Sequence, residues 1–467
     1  MLKLLHKTPK KSAYLIIIFL AIFSTIYNAF LPLHGDEAYY WMWSHHLQAG
    51  YFDHPSMIAY MIYLTNFISQ AEWGVRLVNI FSFSISALYI FKLTSKMFDE
   101  KTALNALLVF SSIIIVNAGY IITTTDSPLI LFWTLSLYFS YMALFYKERK
   151  YFIFAGITIG LMMISKYTSI LFVFALLLFI ALKKREILFN INIYISTIIS
   201  LIIISPMLYW NYQHEWISFV FQLDHGSTDN FELNLNAMFE YIGGQFLAFS
   251  PLFAALLFYY TLKNKLFFKD DKLFFLSLFM SFTLGFFLYK SMFTFMGLNY
   301  AAPAYVSGVI LLAYIVSKYE LEKSFRIGLY IAIFLTLVGR FGIMFYLEIF
   351  QDRMYGNREA VFLTQTYVKD GDAIYGDHLT TAAYLKYYLK GKPDTDIATD
   401  SRFSQYDMWR SKDFIKNGLV LTLDTKENAL KKIYKNVILL DTLTVQRGLN
   451  RTKTFYIYRV STPLIND

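Results

Sequence analysis

Residues 34–55 read HGDEAYYWMWSHHLQAGYFDHP. The stretch holds three acids (Asp36, Glu37, Asp53), four histidines (His34, His45, His46, His54) and a crowd of aromatic rings. It follows the first long apolar run, and no Lys or Arg occurs from residue 34 to residue 72. In polytopic membrane proteins Lys and Arg gather in short cytoplasmic loops, so this segment reads as an outer loop. An acidic, aromatic loop on the outer face of an apolar bundle points to chemistry at a membrane surface.

Composition supports the bundle. Of 467 residues 57% are hydrophobic and 16% charged, and many apolar runs approach the roughly 20 residues that span a bilayer core. The net charge of +9 sits largely in short loops between those runs, so it sets topology and is no sign of nucleic-acid binding. The chain has no cysteine, which excludes disulfides, thiolate metal sites and cysteine nucleophiles.

Working outward, residues 1–12 carry Lys3, Lys7, Lys10 and Lys11 ahead of the run 13–33. The run is long for a signal peptide, so it reads as an uncleaved helix with a cytoplasmic N-terminus. In the loop 34–72 two short interfacial helices are expected, one from about Glu37 and one near Pro55, the latter capped by Asp53. Further spans fall near 73–92, 103–122 and 127–146, then a pair within 151–182 meeting at Ser165-Lys166-Tyr167-Thr168. The rest lie near 191–211, 245–262, 273–290, 297–317 and 327–348, about eleven in all. A second loop free of Lys and Arg, 212–244, carries Glu215, Asp224, Asp229 and Glu232. Residues 1–349 thus form a transmembrane module with outer loops 34–72 and 212–244. Residues 350–467 turn polar and alternate strand-like with helix-like segments, which predicts a small extracytoplasmic α/β domain.

The ionisable residues at membrane depth are chiefly Arg76, Lys166 and Arg340. Such residues are costly there and are usually functional or paired. Arg76 and Lys166 lie near outer ends, where each reads either as a ligand for a lipid phosphate or as a side chain snorkelling to the headgroups. Tyr39, Tyr40, Trp41 and Trp43 read as an interfacial belt, with stacking on a sugar as the alternative.

These residues carry a resemblance. D-E-A-Y-Y-W after the first span is followed by G-Y-F-D-H-P, Thr125-Asp126-Ser127-Pro128-Leu129, Ser165-Lys166-Tyr167-Thr168 and Ser205-Pro206. Then come Trp210-Asn211, His214-Glu215-Trp216, Phe221-Gln222, His225-Gly226, Asn299 to Tyr305 and Gln405 to Trp409. In this order, over nearly the whole chain, the set resembles the GT-C superfamily of polyprenyl-phosphate-sugar-dependent glycosyltransferases. More specifically, it resembles the bacterial branch related to dolichyl-phosphate-mannose protein mannosyltransferases and to aminoarabinose transferase. Two departures are mild: an expected H-P-P reads His54-Pro55-Ser56, and N-W-x-A-P reads Asn299-Tyr300-Ala301-Ala302-Pro303.

The resemblance implies a polytopic α-helical membrane protein of GT-C type, in a bacterial inner membrane, transferring a sugar from an undecaprenyl-phosphate donor with inversion. The acceptor is a glycolipid, a glycan or a protein. Asp36 matches the family's catalytic loop acid, although Asp is also a favoured helix cap. Glu37 joins it as a catalytic candidate or as an orienting group, and Asp126 as an acid of the adjoining outer turn, where Asp-Ser-Pro is also a good helix start. Lys166 and Arg76 are candidates for the donor phosphate. Asp53, with His54 and His225, is a candidate for the acceptor or for a divalent metal whose identity no spacing selects. Gln405, Tyr406 and Asp407 are candidates for an acceptor-side contact in the tail. The rival reading is a transporter or lipid flippase, which tends to show internal repeats and polar groups at midplane, neither evident here.

Overall fold

Among the described residues, six helices are long and apolar enough to cross a membrane: Pro9–Asn28, Glu72–Met97, Asp126–Tyr146, Ile191–Gln213, Asp271–Ser291 and Glu322–Met344. They belong to a computed structural model that describes residues 2–226, 232–345, 353–399, 401–411, 414–447 and 451–464. A seventh span exists if Leu235–Ala248 and Pro251–Lys263, bent by 104° at a short break, are counted as one. At that break Ser250 takes φ +71 and Pro251 opens the second helix, where its missing N–H costs nothing. The other expected spans fall on shorter helices: Glu100–Ser112 with Ile114–Gly119, Arg149–Met163, Ile170–Lys183 and Ala304–Lys318. The expected eleven therefore does not follow from length and composition. Extended residues interrupt two of these runs, Ile113 at ψ 147 and Lys166 at φ −159, ψ 138.

Burial sorts the helices. Glu72–Met97 is 72% buried over its apolar window and Asp126–Tyr146 is 67% buried, whereas Ile191–Gln213 is 22% buried. The first two form the centre, and the last faces outward with Ile198, Leu201 and Ile202 exposed. Apolar faces left bare on a helix of that length suit lipid.

The tail forms one five-stranded mixed sheet. Its strands are β1 (Ala373–Gly376), β2 (Thr395–Ile397), β3 (Gly418–Thr422), β4 (Tyr434–Arg447) and β5 (Arg451–Pro463), in the order β2-β1-β3-β5-β4. β1 runs parallel to β2 and β3, and β5 is antiparallel to β3 and β4. The expected domain boundary at 349/350 lies outside the described residues.

The outer loop and the tail share one core. The helix Gly35–Trp43 packs on the tail helix Leu379–Tyr388, and Trp41, Trp43, Tyr384 and Leu385 all join the same buried cluster. Gly35 permits that approach, because a Cβ there would meet the Thr380 side chain at 2.8 Å. The aromatics expected as an interfacial belt are thus inside the protein: Tyr39 is 3% exposed, Tyr40 7%, Trp41 0% and Trp43 0%. Trp43 stacks on Tyr51 at 4.2 Å, and Trp41 lies edge-on to Tyr387 at 4.8 Å beneath the Lys392 ammonium. Tail surface, in place of headgroups, covers these rings.

Candidate active site

The site is built on a buried ion pair. Glu37 and Arg76 are both 0% exposed and meet at 2.7 Å. Every N–H of Arg76 has an acceptor. Nε and Nη2 donate to the two Glu37 oxygens at 2.9 and 2.7 Å, Nη1 to the carbonyls of Asn28 and Leu31, and Nη2 also to that of Pro32. Glu37 in turn accepts from the backbone N–H of His34 and of Thr123, each at 2.8 Å. One carboxylate therefore ties together the end of the first helix, the start of the outer loop, the next span and the turn before Asp126. This corrects the expectation for Arg76 and favours the orienting alternative for Glu37. Arg76 has no donor left for a lipid phosphate, and Glu37 has no route to a substrate. A fully bonded buried pair of this kind fixes geometry.

Asp36 is left facing out. It sits in the first turn of Gly35–Trp43 and does not cap it. The cap is His34, whose Nδ1 accepts from the Asp36 N–H at 3.2 Å, while Glu37 closes a reciprocal capping box. Because Nδ1 spends its lone pair there, the Asp36 carboxylate 3.7 Å away is a neighbour of the imidazole and not its ion-pair partner. The Asp36 side chain is 39% exposed.

The outer turn brings a second cluster alongside. Thr123, bonded to Glu37, stands three residues before Asp126, the first residue of the helix Asp126–Tyr146. Asp126 accepts from Lys166 Nζ at 2.6 Å and from Asn299 Nδ2 at 2.6 Å. Lys166 lies in the extended break between two short helices, its side chain 9% exposed and 5.3 Å from the Tyr300 ring centre. It is held by an acid and a ring and does not snorkel. The break itself is fastened to the first loop, where Met57 N donates to the Ile164 carbonyl at 3.0 Å. Tyr40 reports on the convergence. Burial pushes its phenol well above the ordinary tyrosine value, and the negative fields of Asp36, Asp53 and Asp126 push it further.

Asp53 proves to be an inter-domain pin. Its carboxylate, 8% exposed, accepts from Tyr39 Oη at 2.8 Å and meets Arg402 Nη2 of the tail at 2.7 Å. Gln222 of the second outer loop donates to its carbonyl at 2.6 Å. Burial raises the carboxyl above the ordinary aspartate value, while Arg402 and the Tyr39 hydrogen bond pull it back. Asp53 does not cap the following helix, which runs Met57–Asn66 behind Ser56. Nor does it fit a metal, since one oxygen already faces a guanidinium. Among the described residues no three His, Asp or Glu side chains converge as metal ligands. His54 is half-buried beside Tyr40, and the side chain of His225 lies outside the described residues.

Of the tail residues expected at the acceptor, Gln405 and Tyr406 are buried in this joint and Asp407 is half-buried. Gln405 (0% exposed) donates its N–H to Tyr39 Oη and accepts from Phe52 N through Oε1. Tyr406 packs on Tyr39 at 6.2 Å, and Asp407 closes a capping box with Ser404. Sequence reading gave Tyr39 and Tyr40 a site role only as the stacking alternative, and passed over Asn299 and Arg402 as site residues. Asn299 had a signal in its N-Y-A-A-P setting, whereas Arg402 is a single cation in a polar tail with nothing local to mark it.

Comparison with known proteins follows the same lines. Residues 53–210 match the family described as dolichyl-phosphate-mannose-protein mannosyltransferase. Lipid A galacturonosyltransferase RgtD of Rhizobium johnstonii is 25% identical over 390 residues, covering 80% of this chain and 76% of that one. Among solved structures, apo ArnT from Cupriavidus metallidurans aligns with a TM-score of 0.70 at 11% identity, over 96% of this chain and 97% of that one. The same protein bound to undecaprenyl phosphate aligns at 0.68 and 12% identity, over 95% of this chain and 97% of that one. At such identities the structures speak for the fold alone, and they include the tail.

Proposed function

We infer that this chain, a membrane glycosyltransferase of the GT-C type, takes its sugar from undecaprenyl phosphate and passes it to a glycolipid on the extracytoplasmic face of a bacterial inner membrane. The carrier is that of the ArnT complex, and a glycolipid acceptor agrees with the name of RgtD. The basic loops at residues 92–101, 147–150, 183–185 and 263–272 support a cytoplasmic N-terminus and an extracytoplasmic tail.

The chemistry is one displacement. The acceptor oxygen attacks the anomeric carbon as the C1–O bond to phosphate breaks, and the bonding pair leaves on the polyprenyl phosphate. Asp36 takes the acceptor's proton. Lys166 meets the charge growing on the leaving phosphate, with Asp126, Asn299 and Tyr300 fixing the ammonium. Attack opposite the leaving group inverts the anomeric centre. Charge developing in a water-poor site at the bilayer surface gains more from a fixed cation than it would in water.

One observation carries the choice of base. Of the four candidate acids, Glu37 is used up by Arg76, Asp126 by Lys166 and Asn299, and Asp53 by Tyr39 and Arg402. Of these four, Asp36 alone offers a solvent-reaching carboxylate with no strong partner. Asp36→Asn, purified in detergent with undecaprenyl-phosphate-sugar and envelope lipid, should bind donor and release no undecaprenyl phosphate. Turnover near that of the parent protein would remove Asp36 from the mechanism.

A further inference from the structure

The tail contributes cations as well as cover. Arg402 Nη2 holds Asp53, but its side chain remains 42% exposed, and no other ion pair or hydrogen bond engages its head among the described residues. Arg353 is exposed, and its backbone is stitched to the first loop: Tyr384 Oη lies 2.7 Å from the Arg353 carbonyl and 3.2 Å from that of Leu33. That places Arg353 beside the residues leading into Asp36. His378, also exposed, caps the tail helix whose Thr380 presses on Gly35, next to Asp36. Its Nδ1 accepts from the Thr380 N–H, so Nε2 carries the proton and is free to donate outward.

We propose that Arg402, Arg353 and His378 form an anion subsite on the tail side of Asp36, which receives a phosphate or carboxylate carried by the acceptor close to the oxygen that is glycosylated. The geometry separates two anions. Lys166 belongs to the membrane module and is already paired with Asp126, whereas Arg402, Arg353 and His378 belong to the tail. A guanidinium with unspent N–H groups suits bidentate contact with phosphate or carboxylate. An anion seated there also faces the Asp36 carboxylate, whose negative charge opposes it. Although the residue is exposed overall, partial desolvation of its ring against the tail lowers His378 below the ordinary histidine value, Arg402 and Arg353 lower it further, and Asp377 and Asp36 oppose them. The ring is therefore neutral at neutral pH and adds its charge only on acidification.

The inference rests on the glycosyl-transfer reading, so its test does not use transfer. The full chain in dodecyl maltoside is titrated calorimetrically with glucose 6-phosphate, whose phosphate is not on the anomeric carbon as the donor's is, glucose serving as the neutral control. The sugar phosphate should bind and glucose should not. Arg353→Gln and Arg402→Gln should each weaken binding about tenfold, Lys166→Gln should leave it in place, and Asp36→Asn should tighten it. Binding should strengthen as pH falls below the ordinary histidine range. Arg402→Lys, which keeps the Asp53 contact and the charge, covers the case in which Arg402→Gln fails to fold. Equal binding by parent and Arg353→Gln proteins would overturn the proposal, as would loss of binding in Lys166→Gln alone. Competition by phosphatidylglycerol nanodiscs but not by phosphatidylcholine nanodiscs would reassign the subsite to lipid headgroups and overturn the acceptor claim. Arginine-dependent binding in a protein that transfers no sugar would sink the transfer reading and leave the subsite standing.

Discussion

Glu37→Gln separates a structural acid from a catalytic one. Glu37 accepts four hydrogen bonds, two from Arg76 and one each from the N–H groups of His34 and Thr123, and both members of the pair are fully buried. The substitution keeps the shape and removes the charge. An amide has one acceptor oxygen, so its NH2 must face N–H donors, and Arg76 is left as an uncompensated buried cation. Removing one partner from such a pair costs about 3–5 kcal/mol. The assay is thermal unfolding in detergent followed by tryptophan fluorescence. Trp41 and Trp43 lie on the same helix at 0% exposure, so they report on this joint directly. The melting point should drop by several degrees, and activity per folded molecule should persist. Replacing both partners, Glu37→Leu with Arg76→Met, should recover part of the loss, because no orphan charge remains. A Glu37→Gln protein that melts with the parent yet transfers nothing would refute the reasoning and return Glu37 to the chemistry.

Other perturbations address the remaining parts. Lys166→Ala should raise the donor KM at least roughly tenfold with a much smaller change for the acceptor, and equal changes in both would argue against a donor-phosphate role. Asp53→Asn should loosen the tail from the outer loop by about 1–3 kcal/mol, seen as faster hydrogen exchange in residues 402–409; unchanged protection there would mean that the Arg402 contact holds nothing. Thorough chelation should leave transfer intact, since Arg402 already occupies the Asp53 carboxylate, and a loss reversed by added divalent cation would contradict that.

The class of fold was legible because it depends on local signals. Apolar runs of span length marked the membrane module, and β-branched and aromatic runs in the tail foretold β1, β3, β4 and β5. Short β2, with three residues, and the helix Asn357–Gln365 lacked so strong a signal. Span count was less legible, because hydropathy does not register a break such as Ile113, where the chain stays apolar and only the backbone turns. Within the loop, adjacency misled. Asp36 and Glu37 are neighbours in sequence but a helical turn sends one outward and the other inward to Arg76. The Tyr and Trp run has the composition of a membrane belt, and only the tail, far along the chain, determines that it is buried. The Asp53–Arg402 contact is of the same kind: neither residue's neighbours announce the other.

The most direct test of the central claim is release of undecaprenyl phosphate by the purified full chain, measured by mass spectrometry with undecaprenyl-phosphate-sugar as donor and envelope lipid extract as acceptor. Release matched one for one by a new glycosylated lipid, and abolished in Asp36→Asn while donor binding persists, is the predicted result. Donor that stays intact, or that crosses sealed vesicles without losing its sugar, would contradict the account.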